Sequence, residues 1–280
     1  MVNFNGSIIP ENQVFLSVNN RAFKYGDSIF ETIKIYNGHL LFWEDHYLRL
    51  MASMRIARMQ IPMEFTMEFL ETEIKKVATQ NRHELSGRVR LSVFRVDGGY
   101  YLPQSNQVHF IVQTEPLPNT LYSFYREVYE IELFKDYYIQ PGLLSTLKSN
   151  NRLINIVASV FADENDYQNC LLLNNDKNVV EAINGNVFLV FGQTVKTPPV
   201  QEGCLNGIMR KQVLKLLKKM TDFEVIEETV SPFELQKADE IFITNVIQGI
   251  VPVTKYRKKE FANKVSGEIL NKLNQILVFG

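Results

Sequence analysis

Lys148 stands in a polar break, Lys148-Ser149-Asn150-Asn151, directly ahead of an apolar stretch with helical spacing. A lysine amine kept partly neutral by its surroundings can form a Schiff base or carry a proton, although a lysine is far more often a solvated charge. Leu205-Asn206-Gly207-Ile208-Met209-Arg210 places glycine and amides before an amphipathic helix. Free N–H groups and the positive dipole end at such a helix start suit a phosphate, while glycine there also simply eases chain entry. Other chemistries find less support. His39, His46, His83 and His109 are scattered without metal-ligand spacing, and no GxSxG, GxGxxG or GxxxxGK[ST] pattern occurs. A metal hydrolase would need convergent His, Asp or Glu groups.

The elements that must position these residues are partly readable. Ile29–Tyr36 reads as a strand, turned by Asn37-Gly38 into His39–Phe42. Helical spacing predicts helices over 44–58 and 64–80, and alternation predicts strands over 88–94 and 109–114. Glu115-Pro116-Leu117-Pro118-Asn119 favours extended backbone, so the boundary is expected at 115–121, between an α/β part over 1–114 and a second over 122–280 that carries Lys148. The second part reads as strand-like up to Tyr138-Ile139, then a helix over 151–164 with Leu153, Ile154, Val157, Val160 and Phe161 on one face. Short strands follow over 170–173, 179–181 and 187–191, a helix over 207–220 and a strand over 240–244. Ser231-Pro232-Phe233-Glu234 has the form of a capping box. The expected class is α+β in two domains.

Composition narrows the partners. The 280 residues are 45% apolar and 22% charged, an ordinary globular balance. Thirty basic against 31 acidic residues give a net charge of −1, which argues against nucleic acid or an anionic membrane as the main partner. No stretch approaches the roughly 20 apolar residues of a membrane span, and no signal-like N-terminus is seen. Cys170 and Cys204 alone form neither a disulfide framework nor a CxxC pair, so a reducing cytoplasm is the expected compartment.

From Glu181 onward the chain resembles the class IV (fold type IV) aminotransferases, which depend on pyridoxal 5′-phosphate (PLP). The resemblance is carried by Glu181-Ala182-Ile183-Asn184-Gly185-Asn186-Val187-Phe188, Val195-Lys196-Thr197 and Leu205–Arg210, many fixed positions at the right spacing. It extends over nearly the whole chain. Arg21-Ala22-Phe23-Lys24-Tyr25-Gly26-Asp27-Ser28-Ile29-Phe30-Glu31-Thr32 is similar to the family's substrate-side segment, His46-Tyr47-Leu48-Arg49-Leu50 to its phosphate-arginine motif, and Lys148–Leu153 to its lysine motif. The resemblance implies a two-domain fold like that of D-amino acid aminotransferases, PLP as cofactor and a homodimer.

It also implies roles. Lys148 would carry PLP as a Schiff base and then move the substrate proton. Glu181 would keep the pyridine nitrogen protonated. Arg49 and the amides of Gly207, Ile208 and Met209 would hold the phosphate, with Thr244 and Asn245 closing the other side. Tyr25, Phe30 and Thr32 fall where the family lines its pocket, and Arg90 and Arg95 are rival anchors for a substrate carboxylate. Three details tilt this reading toward 4-amino-4-deoxychorismate lyase of folate biosynthesis, with Thr32 assisting catalysis. These are Thr32 itself, Met209 in place of a phosphate-binding threonine, and Leu153 in place of a tyrosine. The alternative is an aminotransferase of branched-chain or D-amino acids, toward which Arg90 points. A non-catalytic ligand-binding protein is the remote alternative, and the retained Lys148 and Glu181 argue against it.

Overall fold

The computed structural model describes residues 1–14, 16–124 and 128–279. Two compact units emerge: Met1–Thr120 with Leu147–Asn151, and Leu121–Thr146 with Arg152–Gly280. Lys148, expected in the C-terminal domain, therefore belongs to the first unit. Its short segment is fixed there by backbone hydrogen bonds from Phe30 N to Lys148 O (2.8 Å) and from Asn150 N to Ser28 O (3.0 Å). Such a long-range return of five residues leaves no trace in local periodicity.

The first unit contains β1 (Val2–Phe4), β2 (Ser7–Ile9), α1 (Arg21–Tyr25), β3 (Ser28–Tyr36), β4 (His39–Leu40) and α2 (Trp43–Ile56). It continues with α3 (Met67–Asn81), β5 (Ser86–Arg95) and β6 (Val108–Pro116). The strands form one antiparallel sheet in the order β2-β1-β6-β5-β3-β4. Asn37 and Gly38 both have positive φ (46° and 78°), as a two-residue hairpin between Tyr36 and His39 requires. Ile29, Ile33 and Ile35 of β3 join Val89, Leu91 and Val93 of β5 in a core with Leu50 and Met54 of α2 and Leu70, Ile74 and Val77 of α3. By alternation, Phe30, Thr32 and Lys34 point to the opposite face, across from Ser92, Arg90 and Arg88.

The second unit begins with β7 (Glu130–Ile139), α4 (Leu153–Glu164), β8 (Asn169–Asn174), β9 (Val179–Ala182), β10 (Asn186–Phe191) and β11 (Thr194–Thr197). After these come α5 (Ile208–Leu217), β12 (Glu224–Glu227), β13 (Glu240–Asn245), β14 (Gly249–Val253), β15 (Lys255–Tyr256), β16 (Lys259–Glu260) and α6 (Lys264–Phe279). Two five-stranded sheets result, β12-β11-β10-β13-β14 and β16-β15-β7-β8-β9. One core joins them, with Ile131, Leu133 and Leu171 from the second sheet and Val187, Leu189, Ile241 and Ile243 from the first.

The capping box at Ser231 is present, but it starts a single 3-10 turn over Pro232–Glu234. The apolar face expected on α4 needs correction. The helix packs through Ile154, Val157, Ala158, Phe161 and Ala162, whereas Leu153 (71%) and Val160 (51%) are exposed. Its apolar stripe is wider than the face it buries, so hydrophobicity alone misplaces the contact.

Candidate active site

In the first unit, α1 ends at Gly26 in the left-handed region (φ 64°), where a Cβ would also lie 2.4 Å from Asn151 Oδ1. Glycine there answers both demands. The turn leads into β3, along whose start the lysine segment runs, with Ile29 bridged to Ser149. The Lys148 Nζ lies 4.6 Å from the centroid of the Phe30 ring, and the Arg90 guanidinium lies 3.8 Å from the same centroid. Both contacts are cation–π geometries. Arg90 Nη2 also donates to Asn150 Oδ1 (3.0 Å) and Nε to Ser92 Oγ (3.2 Å). Thr32, nearly buried, stands directly across from Arg90 in the β3–β5 ladder. Lysine, arginine, phenylalanine and threonine thus share one neighbourhood.

Glu31 points the other way, toward α2. Arg49 Nε donates to its Oε1 (2.8 Å) and Nη2 to its Oε2 (2.5 Å), and His46 Nδ1 lies 2.7 Å from Oε2. Burial alone would raise the carboxyl's pKa, but the charge and bonds of Arg49, aided by His46, hold it at about 2. Burial pushes the His46 pKa below its ordinary value against the pull of Glu31, with the charges of Arg49 and Lys148 adding to the effect.

Arg95 does different work from the one expected of it. Its Nε binds Asp27 (3.0 Å), Nη1 binds Arg58 O (3.1 Å) and Asn106 Oδ1 (2.7 Å), and Nη2 binds Ala57 O (2.8 Å). Nearly buried, it ties the end of α2 to β5, so its fork is spent on structure. Tyr25 packs its ring on Tyr101 (5.7 Å) beside the Arg21 guanidinium (5.1 Å), and Arg21 in turn grips the carbonyls of Gly98 and Tyr100.

In the second unit, Glu181 on β9 is nearly buried and accepts a hydrogen bond from Leu205 N (2.8 Å). Asn186 on β10 pairs with Thr244 on β13 and donates to Leu205 O (2.9 Å). Glu181 and Asn186 thereby fix the loop before α5. Gly207 is the N-cap of α5 and, as glycine, offers no side chain of its own to cap the amides that follow it. A Cβ on Gly207 would lie 2.0 Å from Asn186 Oδ1, so the close approach needs glycine. Thr244 is buried, and its Oγ1 has no hydrogen-bond partner among the described residues. Asn245 Oδ1 accepts from Ile247 N (3.1 Å) and Gln248 N (2.9 Å) and so caps its own turn. Burial, reinforced by the charge of Glu181, pushes the Cys204 thiol up to about 12, which makes it inert.

Residues 28–256 match the class IV aminotransferase family, which covers most of the sequence and both units. The chain belongs to the class IV aminotransferase family. A putative branched-chain-amino-acid aminotransferase of Methanocaldococcus jannaschii is 29% identical over 97% of this chain and 93% of its own length. A D-alanine aminotransferase of Bacillus licheniformis is 27% identical over 98% of this chain and 94% of its own. Among solved structures, a putative 4-amino-4-deoxychorismate lyase from Legionella pneumophila superposes with a TM-score of 0.84 at 23% identity, covering 95% of this chain and 96% of that one. The chain has the two-domain α+β architecture of fold type IV and is a PLP-dependent enzyme. No helix of the described residues is long and apolar enough to cross a membrane.

The residues present fit the cofactor. Within the second unit, a helix start where a Cβ has no room, a buried hydroxyl with no partner among the described residues and a carboxylate that accepts from a backbone N–H suit a phosphorylated pyridine, and within the first unit a lysine on an aromatic face suits an aldehyde. Reading the sequence singled out neither Glu31, Asn186 nor Asn150. Glu31 carries a signal, as a carboxylate at an inward position of the run Ile29, Glu31, Ile33, Ile35. Asn150 carries none, because its partner Arg90 is 60 residues away.

Proposed function

We propose that this enzyme transfers the amino group of a small α-amino acid, with Lys148 as its Schiff-base lysine. The observation that supports this best is Arg90. It stands on the Phe30 ring that Lys148 also faces, and it bonds the asparagine two residues after that lysine. A guanidinium there can take an α-carboxylate and present the adjacent amine to Lys148. The names of the relatives, branched-chain and D-alanine aminotransferase, mark the donors to try first.

In this reading Arg49, the amides following Gly207 and the Thr244 hydroxyl bind the cofactor's phosphate, and Glu181 binds its ring nitrogen. PLP bound in this way supplies an electron sink for the bond broken beside the nitrogen. Lys148 takes and returns the proton there. Phe30 and Thr32 line the substrate side together with Tyr25. The enzyme is proposed to act as a cytoplasmic homodimer, and the exposed Leu153, Ile156 and Val160 of α4 supply an apolar surface for such an assembly. The test is to mix holoenzyme with branched-chain and D-amino acids without a keto acid. Conversion of the cofactor to its amine form, slowed at least 100-fold in Arg90→Met, is expected; no conversion with any α-amino acid refutes the reading.

A second reading, 4-amino-4-deoxychorismate lyase, is favoured by Thr32, a hydroxyl set directly across from Arg90. It predicts pyruvate and 4-aminobenzoate from aminodeoxychorismate alone, with loss of product formation in Thr32→Val.

A further inference from the structure

We propose that His46 is a positioning residue that, through Glu31, sets the Arg49 guanidinium for the phosphate of PLP. The proposal rests on the cofactor reading above and adds to it a residue outside the expected set. Arg49 meets Glu31 along its Nε/Nη2 edge, so the plane of the carboxylate sets the direction of the whole planar guanidinium. A carboxylate held by one fork can still swing about its last side-chain torsion. The His46 bond to Oε2 fixes that plane, and the fork follows it. His46 and Arg49 are three residues apart on α2 and therefore share a face.

The hydrogen-bond arithmetic supports the direction of control. Glu31 is ionised and can only accept, so His46 donates through Nδ1–H. A neutral ring then leaves Nε2 as a bare acceptor, and Nε2 is buried with no partner among the described residues. One ring nitrogen is given up to burial while the other serves Glu31. A side chain kept for packing would need neither.

Asparagine at position 46 places its amide nitrogen near that of Nδ1 and omits Nε2, so it separates the two roles of the ring. The measurement is the rate of PLP loss from wild-type, H46N and H46L holoenzymes into a scavenger, with urea unfolding run in parallel. H46L is expected to lose PLP about 10-fold faster, at the low end of the cost of removing an outer partner from a ligating group, while H46N stays near wild type. Should H46L not fold, H46Q provides the same contrast, because its amide nitrogen falls near Nε2 and misses Glu31. Equal retention in all variants, or equal loss in H46N and the variant it is compared with, overturns the proposal. A wild-type protein that binds no PLP overturns the cofactor reading first, and this proposal with it.

Discussion

Replacing Gly207 by alanine tests the loop before α5 in isolation from the chemistry. The backbone there (φ −71°, ψ 136°) suits alanine, so the substitution alone should stabilise by about 0.4–1 kcal/mol through the unfolded chain. The new Cβ, however, would lie 2.0 Å from Asn186 Oδ1 and 3.2 Å from its Cγ. Asn186 is nearly buried and holds Leu205 O, and turning it away loses that bond at about 1 kcal/mol. Overpacking a filled site adds about 1–3 kcal/mol. The net is a loss of about 1–3 kcal/mol, read from urea unfolding of the apoprotein. Release of PLP from the G207A holoenzyme should accelerate as well, because the amides that follow Gly207 move with it. In an N186A background the same substitution should cost little, since the clash is gone and the two sites are coupled. G207A as stable as wild type, or equally damaging in both backgrounds, would refute the steric argument.

Thr244→Val should shift stability and cofactor retention in opposite directions. Removing a buried hydroxyl that has no partner among the described residues should leave the apoprotein as stable or up to about 1 kcal/mol more so, while PLP is lost faster; a less stable apoprotein would show that the hydroxyl serves the fold. Glu31 makes acid stability a second test. Its carboxyl titrates at about 2 in the folded protein against an ordinary 4.5 once the chain unfolds, so its contribution is complete above about pH 5 and is lost as pH falls toward 2. Over that window wild type should lose a few kcal/mol that Glu31→Gln, already weaker at neutral pH, does not lose; parallel pH curves would contradict it. Arg95→Met should lower stability by more than about 2 kcal/mol, through the four bonds it breaks, and leave the KM for amino acids unchanged in what folds.

What could be read from the sequence was local. Asn37-Gly38 announced its hairpin because only that kind of pair accepts two positive φ values cheaply. The helix over Met67–Asn81 was legible from its spacing, and Thr66 caps it within two residues of the expected start. The glycine at 207 and the lysine at 148 stood out by chemistry, but their surroundings did not. That Lys148 lies on Phe30, or that Arg90 reaches Asn150, depends on a segment crossing from one part of the chain to the strand of another. Arg90 and Arg95 lie on the same strand and were indistinguishable in type. Asp27, Asn106 and the carbonyls of Ala57 and Arg58, which together consume the fork of Arg95, separate them. The buried triad of Glu31, His46 and Arg49 was half visible, since His46 and Arg49 have helical spacing while the strand partner between them was hidden in an apolar run.

The central claim is tested most directly by a single turnover without a keto acid. Holoenzyme is mixed with an amino acid donor, the cofactor form is followed by absorbance, and a parallel sample is reduced with borohydride and digested. The account predicts that the donor converts the cofactor to its amine form, and that reduction before mixing fixes PLP on the peptide containing Lys148. Label on any other lysine, or a cofactor unchanged by every α-amino acid while aminodeoxychorismate yields pyruvate and 4-aminobenzoate, would contradict it.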